Sequence, residues 1–311
     1  MRTERSLKDW GLLAILVVFW GSAFMMITVA VKTIPPLTLS AARLSLAACV
    51  LLIALKLSGE KLPPLFLHDA HVKTVNSVWV SLLGLGLLGN ALPFLLLAWG
   101  QTQIPSSIAS IFLGFSPLTT LVLAHFFIRG EHITRTSALG FFLGFIGICV
   151  LMGPSALAQI NFNTGTLVFQ IAIIIGAVSM GLSNVIAKRM GPVSPLGAAS
   201  GLTLLAALAM IPIALIVDRP WNLAPSSASL AMLVLLGLLP TGLANVIFFF
   251  LIRRTGAVFL ALANYLTIPW AVLMGMVFLG ERPGWNALLA LLLILSGVGI
   301  SQSRSRRMAR L

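Results

Sequence analysis

The chain has 311 residues, of which 59% are hydrophobic and only 9% charged, with a formal net charge of +13. Soluble domains carry roughly 25% charged residues, so this composition, with a mean hydropathy of +1.06, excludes a water-soluble fold. The positive charge would suit nucleic acid, but nearly all of it falls in short loops and tails between apolar runs, which argues against that partner.

Crossing the hydrocarbon takes about 20 largely apolar residues in a helix. Runs of that kind lie at 10–31, 36–57, 76–98, 106–128, 134–152, 164–187, 195–217, 229–252, 258–279 and 285–302. The first exceeds a signal-peptide core in length and is expected to be retained. The fifth and tenth are short and glycine-rich. Pro35-Pro36, Pro63-Pro64, Pro105, Gly153-Pro154, Gly191-Pro192 and Pro283-Gly284 separate the runs. Cys49 and Cys149 lie inside runs and read as small core residues, with no disulfide framework.

Lysine and arginine placement sets orientation. With the amino terminus inside, one side collects Arg2, Arg5, Lys8, Lys56, Lys61, Lys73, Arg129, Arg135, Lys188, Arg189, Arg253, Arg254, Arg304, Arg306, Arg307 and Arg310. The other collects Lys32, Arg219 and Arg282, and Arg43 is left inside a span: 16 against 3. Nine or eleven spans would spoil this partition. The expected fold is an all-α membrane protein of ten transmembrane helices with both termini cytoplasmic.

The two halves repeat. Ala109-Ser110-Ile111-Phe112-Leu113-Gly114-Phe115-Ser116-Pro117 leads into Phe127-Ile128-Arg129-Gly130-Glu131. Ala261-Leu262-Ala263-Asn264-Tyr265-Leu266-Thr267-Ile268-Pro269 leads into Val277-Phe278-Leu279-Gly280-Glu281. The offset is 152 positions at the prolines and 150 at the Gly-Glu pairs. Five spans per copy, an odd number, force the second copy to enter upside down. Two inverted five-helix repeats, 1–155 and 156–311, are therefore expected, an arrangement typical of secondary transporters, whose sites lie near the midplane at the repeat interface.

Phe19-Trp20-Gly21-Ser22 in the first span, the two proline-then-Gly-Glu modules and the five-plus-five layout resemble EamA-type transporters of the drug/metabolite transporter superfamily. The resemblance covers essentially the whole chain. It implies a multi-pass protein of the bacterial inner membrane that exports or facilitates passage of a small molecule, and the amino-acid exporters, aromatic ones included, look most similar. A drug or other metabolite exporter of the same fold is the alternative. The second half departs from the pattern, with Ser179-Met180-Gly181 where the first has Phe19-Trp20-Gly21.

Glu4, Asp9, Glu60, Asp69, Glu131, Asp218 and Glu281 all read as tail or loop residues. No span offers the buried carboxylate that marks proton relays, which favours facilitated diffusion or exchange over tight proton coupling. Nor does any span offer a nucleophile with its base, so no catalytic residue is assigned and an enzyme is not expected. No cofactor or metal site is expected. His68-Asp69-Ala70-His71 stands alone in a loop, and His125 reads as interfacial packing.

Two roles fit Arg43, about 10 Å along its helix from the outer end. It snorkels to the interface, or it faces the cavity and meets an anionic group of the substrate. Pro117 and Pro269, mid-span in paired helices, remove a hydrogen bond and free the carbonyls of Leu113 and Tyr265. These serve either as kinks and gates or as ligand contacts. Pro93 and Pro240 would free Gly89 and Leu236 likewise. Polar residues in spans are Ser22, Asn90, Ser110, Ser179, Ser183, Asn184, Asn245 and Asn264, serving as cavity lining or as interhelical bonds. Trp20 with Phe24, Phe94, Phe112 and Tyr265 forms either an apolar wall for a substrate side chain or ordinary core. Gly140, Gly144 and Gly147 make a small-residue face for helix packing or a dimer contact, leaving monomer and homodimer both open.

Overall fold

The computed structural model describes residues 6–69, 72–75, 77–128, 135–158, 165–191, 193–255 and 257–303. Thirteen α-helices occur among them: α1 Leu7–Ala30, α2 Pro36–Leu57, α3 Val78–Gly86, α4 Leu92–Gly100, α5 Ser106–Leu113, α6 Ser116–Phe127, α7 Arg135–Ala158, α8 Leu167–Arg189, α9 Pro195–Val217, α10 Ser227–Leu236, α11 Ala244–Thr255, α12 Ala257–Leu279 and α13 Trp285–Ser303. A π-helical turn at Leu87–Ala91 joins α3 to α4, and another at Gly237–Leu243 joins α10 to α11.

Helix starts follow the local sequence. Ser6 and Asp9 form a capping box on α1, Ser194 and Ser226 accept from the first turns of α9 and α10, and Pro36 and Pro195 occupy first positions, where a missing N–H costs nothing. Seven helical rods are long and apolar enough to cross a membrane, and Ala138–Gly147, Leu266–Leu279 and Trp285–Gly297 are shorter apolar stretches. Their outward faces carry exposed Phe142, Phe145, Ile216, Val277 and Phe278, as a lipid-facing surface requires.

Helices from the two halves of the chain interleave. α1 packs on α12, α2 on α9, α4 and α6 on α8, and α7 on α13. The main buried cluster accordingly mixes Phe24, Leu39 and Phe112 with Ile173, Ala271 and Ile294.

Several expectations are corrected. Asp9 is no tail residue: α1 begins at Leu7, and Asp9 is buried in its first turn. α7 runs six residues beyond the expected end of the fifth span, to Ala158. Cys49 is exposed on the outside of its helix, not in the core. Phe66–Asp69 and Val72–Val75 pair as a short antiparallel hairpin in the loop before α3. The α7 glycine face has the expected helix-packing role within the chain: Gly144 lies against Leu118, Gly147 against Ile294, and Gly140 against Gly297.

Candidate functional site

The two π-helical turns sit in the third and eighth apolar runs, the first just before Pro93 and the second containing Pro240. An α-helix bonds each N–H to the fourth carbonyl back, and a π turn to the fifth. Near Pro93 the exposed acceptor is therefore Leu88, one residue earlier than the expected Gly89. Ser179 of α8 takes it, its Oγ donating to Leu88 O at 2.7 Å. At the other turn the Leu236 carbonyl, expected to be released by Pro240, accepts from Thr241 Oγ1 at 2.8 Å. Asn245 Nδ2 donates to Thr241 O at 2.6 Å. At the first turn a side-chain hydroxyl thus closes the gap that the proline and the wide turn open, and at the second a hydroxyl adds a donor to the Leu236 carbonyl. Ser179→Ala is expected to cost about 1 kcal/mol by leaving Leu88 O without that donor, readable as a lower melting midpoint of the detergent-purified protein.

Arg43 meets this second turn from α2. Its side chain is only 6% exposed, so it does not snorkel to an interface. Nε donates to Thr241 Oγ1 at 2.6 Å, and Cζ lies 4.0 Å from the centre of the Phe94 ring on α4. That distance is a cation–π contact, which strengthens when water is excluded.

Pro117 and Pro269 behave differently. Before Pro117 the rod breaks: α5 ends at Leu113, and Pro117 falls in the first turn of α6. Pro269 lies inside the unbroken α12. Each proline nonetheless marks a close helix approach. Gly21 of α1 lies against Thr267 and Trp270 of α12, and Gly181 of α8 against Thr119 and Thr120 of α6. The second-half tripeptide that departs from Phe-Trp-Gly therefore retains the glycine's packing role.

The candidate aromatic wall is divided among three clusters. Phe24 and Phe112 are buried in the main core, with Leu113 half-buried beside it. Trp20 packs with Phe248 at 5.8 Å between ring centres, in a cluster of α1, α11 and α12. Phe94 covers Arg43. The side chains of Asn264 and Tyr265 lie outside the described residues, as do Gly130 and Glu131.

The polar candidates are placed as follows. Ser22 accepts from Trp270 Nε1 at 3.1 Å. Asn90 is half-buried in the first π turn. Ser183 donates to Met180 O at 2.9 Å, and Ser110 to Ser107 O at 2.7 Å. Asn184 is exposed and donates to Thr120 Oγ1 at 3.1 Å. Thr241, Phe248 and Trp270 were not anticipated. For Thr241 a signal existed, a hydroxyl directly after an intramembrane proline. No grouping of His, Cys, Asp and Glu suited to a metal occurs among the described residues.

Three carboxylates hold helix ends. Glu281 accepts from Ser106 N (2.7 Å), Ser106 Oγ (2.8 Å) and Ser107 N (2.9 Å), capping α5. Gly280 turns the chain back with φ 66°, a conformation open to glycine, and Glu281 N bonds to Gly275 O at 3.1 Å. That turn gives the Gly-Glu pair of the second half its role. Asp218 caps α2 through Thr38 N (2.8 Å) and Thr38 Oγ1 (2.7 Å). Asp9 pairs with Arg254 of α11 at 2.8 Å.

Comparison with known proteins adds the following. The EamA-like transporter family matches residues 9–153 and 168–301. An uncharacterised inner membrane transporter of Escherichia coli, YedA, is 29% identical over 90% of this chain and 86% of its own length. A probable terminal-alkyne amino-acid exporter of Streptantibioticus cattleyicolor is 26% identical over 95% of this chain and 93% of its own. An uncharacterised transporter of Archaeoglobus fulgidus is 28% identical over 48% of this chain, which spans about half (49%) of that relative's length. A crystal structure 20% identical in sequence shares the fold, with a TM-score of 0.65 over 97% of this chain and 100% of that one.

Proposed function

The chain belongs to the EamA-like transporter family, and on that footing we propose that it carries amino acids, neutral and aromatic ones among them, across the bacterial inner membrane by alternating access. It is a multi-pass membrane protein, and the family's members are transporters of small molecules. The observation that carries the amino-acid reading is the likeness to a probable amino-acid exporter along almost the full length of both chains. The likeness to an inner membrane transporter supports the location.

In this reading the chain crosses ten times, as inverted repeats 1–155 and 156–311 with both ends cytoplasmic. Support comes from two family matches in tandem, from seven long and three shorter apolar helices, and from the lysine and arginine partition. The passage runs between the two π turns. Asn90, Phe94, Ser179, Ser183 and Asn245 lie on or beside those turns, and Trp20 with Ser22 lines the approach along α1. Pro117, after the break between α5 and α6, and Pro269, inside α12, are the positions assigned to gating.

The test is uptake of radiolabelled amino acids by purified protein in liposomes, with and without an imposed pH gradient. Saturable uptake that ignores the gradient is expected, falling about tenfold in Trp20→Ala or Asn245→Ala, which corresponds to about 1.4 kcal/mol of lost interaction. Silence across the panel would move the substrate to another metabolite class. Accumulation only under a gradient would overturn the uncoupled mechanism.

A further inference from the structure

We propose that Arg43 is the recognition point for a carboxylate on the carried solute, which narrows the substrate class to carboxylate-bearing molecules. The inference rests on the transport reading above and deepens it.

A guanidinium has five N–H donors and stays charged. Arg43 uses one of them, Nε, on Thr241. No acceptor for Nη1 or Nη2 and no carboxylate partner for Arg43 occurs among the described residues. Neither Nη group of Arg43 is among the fully sealed, unpartnered polar atoms of the described residues, unlike Ser40 Oγ and Thr203 Oγ1. A buried charge without a counter-charge is costly, and the fold retains such a charge here. Three carboxylates among the described residues are bound elsewhere: Asp9 on Arg254, Asp218 on Thr38 and Glu281 on Ser106 and Ser107.

The surroundings fix the guanidinium in one orientation. Thr241 donates its hydroxyl hydrogen bond to Leu236 O, so its oxygen lone pairs are left to accept from Nε. Phe94 covers one face of the planar group. What remains is the Nη pair, the edge that matches two carboxylate oxygens at once. The π turn thereby acquires a purpose: its Leu236 carbonyl orients the hydroxyl that orients the arginine. A mere tether between α2, α4 and the turn would need no charge, and that difference is measurable.

The experiment uses the full-length protein in two formats. One is competition for labelled L-leucine uptake by unlabelled L-leucine or L-leucinamide. The other is the melting midpoint in detergent with the same two compounds. The acid is expected to compete at least tenfold better than the amide and alone to raise the midpoint. Arg43→Gln is expected to lose tenfold or more in apparent affinity for the acid and nothing for the amide. Arg43→Lys retains charge but not the bidentate edge, so it should fall between the two. Thr241→Val should weaken the acid by a smaller factor. Equal competition by acid and amide in the unmodified protein, or an equal loss of both in Arg43→Gln, would overturn the proposal. An acid-specific midpoint shift that Arg43→Gln removes, without any uptake, would uphold the recognition and sink amino-acid transport. Absence of an acid-specific effect in both formats sinks the recognition itself.

Discussion

Gly21→Leu is expected to abolish transport and to leave little protein that elutes as a single species from detergent. A Cβ on Gly21 would stand 2.5 Å from Trp270 Cδ1 and 2.9 Å from Thr267 O. The tryptophan ring can swing, but only by surrendering its bond to Ser22. The Thr267 carbonyl belongs to the backbone of α12, so α1 itself must move away. Overpacking of this kind costs about 1–3 kcal/mol for small additions, which is the range expected for Gly21→Ala. The larger side chain separates two helices whose contact is among the most extensive in the fold. Gly181→Leu should act alike, since a Cβ there would stand 3.0 Å from Thr120 N and closer still to the Thr119 hydroxyl. Yield, melting midpoint and uptake measured side by side provide the check. Wild-type values for Gly21→Leu would mean that α1 and α12 are free to separate.

Glu281→Ala is the second large effect, expected to lower stability by about 2–3 kcal/mol. The change strips a charged acceptor from Ser106 N, Ser106 Oγ and Ser107 N at once. Bonds to charged groups contribute about 1.5–3 kcal/mol each in favourable cases, and helix caps about 0.5–2 kcal/mol. The three act on one helix start and do not sum. Glu281→Gln should cost less, because the amide still accepts but no longer complements the helix dipole. Asp218→Asn removes the corresponding charge from the start of α2. In the ten-span reading both caps lie at the outer mouth. The double variant is then expected to melt earlier than either single one, with the two losses adding because the caps share no partner. An unchanged midpoint in Glu281→Ala would show that solvent satisfies α5 equally well.

Helix placement was legible because apolar length and proline punctuation are local properties of the sequence. Ser6 with Asp9, Ser194 and Pro36 all act within a turn of where they stand. The π turns were not legible, since one extra residue in a uniformly apolar run leaves no periodic trace. The two proline modules look alike in sequence yet fold differently. Gly114 stands three residues before Pro117, where the α-helix is interrupted, whereas Leu266 holds that place before Pro269 and the helix continues. Among the candidate residues, the separation of Trp20 from Phe24 and Phe112 depends on which neighbour each helix face meets. Thr241 and Arg43 are 198 positions apart, and Glu281 and Ser106 are 175. Nothing local announces such pairs.

The use of Asp9, Asp218 and Glu281 at helix ends has an electrostatic consequence for what enters the bundle. Each of these anions is held by several donors or by an arginine, and none faces Arg43. A lipophilic cation moving inward would shed its hydration and meet a buried positive charge, with none of these three anions free to receive it. On the proposal made for Arg43, a zwitterion or an anion would find the opposite, with its carboxylate drawn to the guanidinium beside the Phe94 ring. With Arg43 as the recognition point proposed above, selection would act on sign of charge before shape, with Asp9, Asp218 and Glu281 tied up at helix ends.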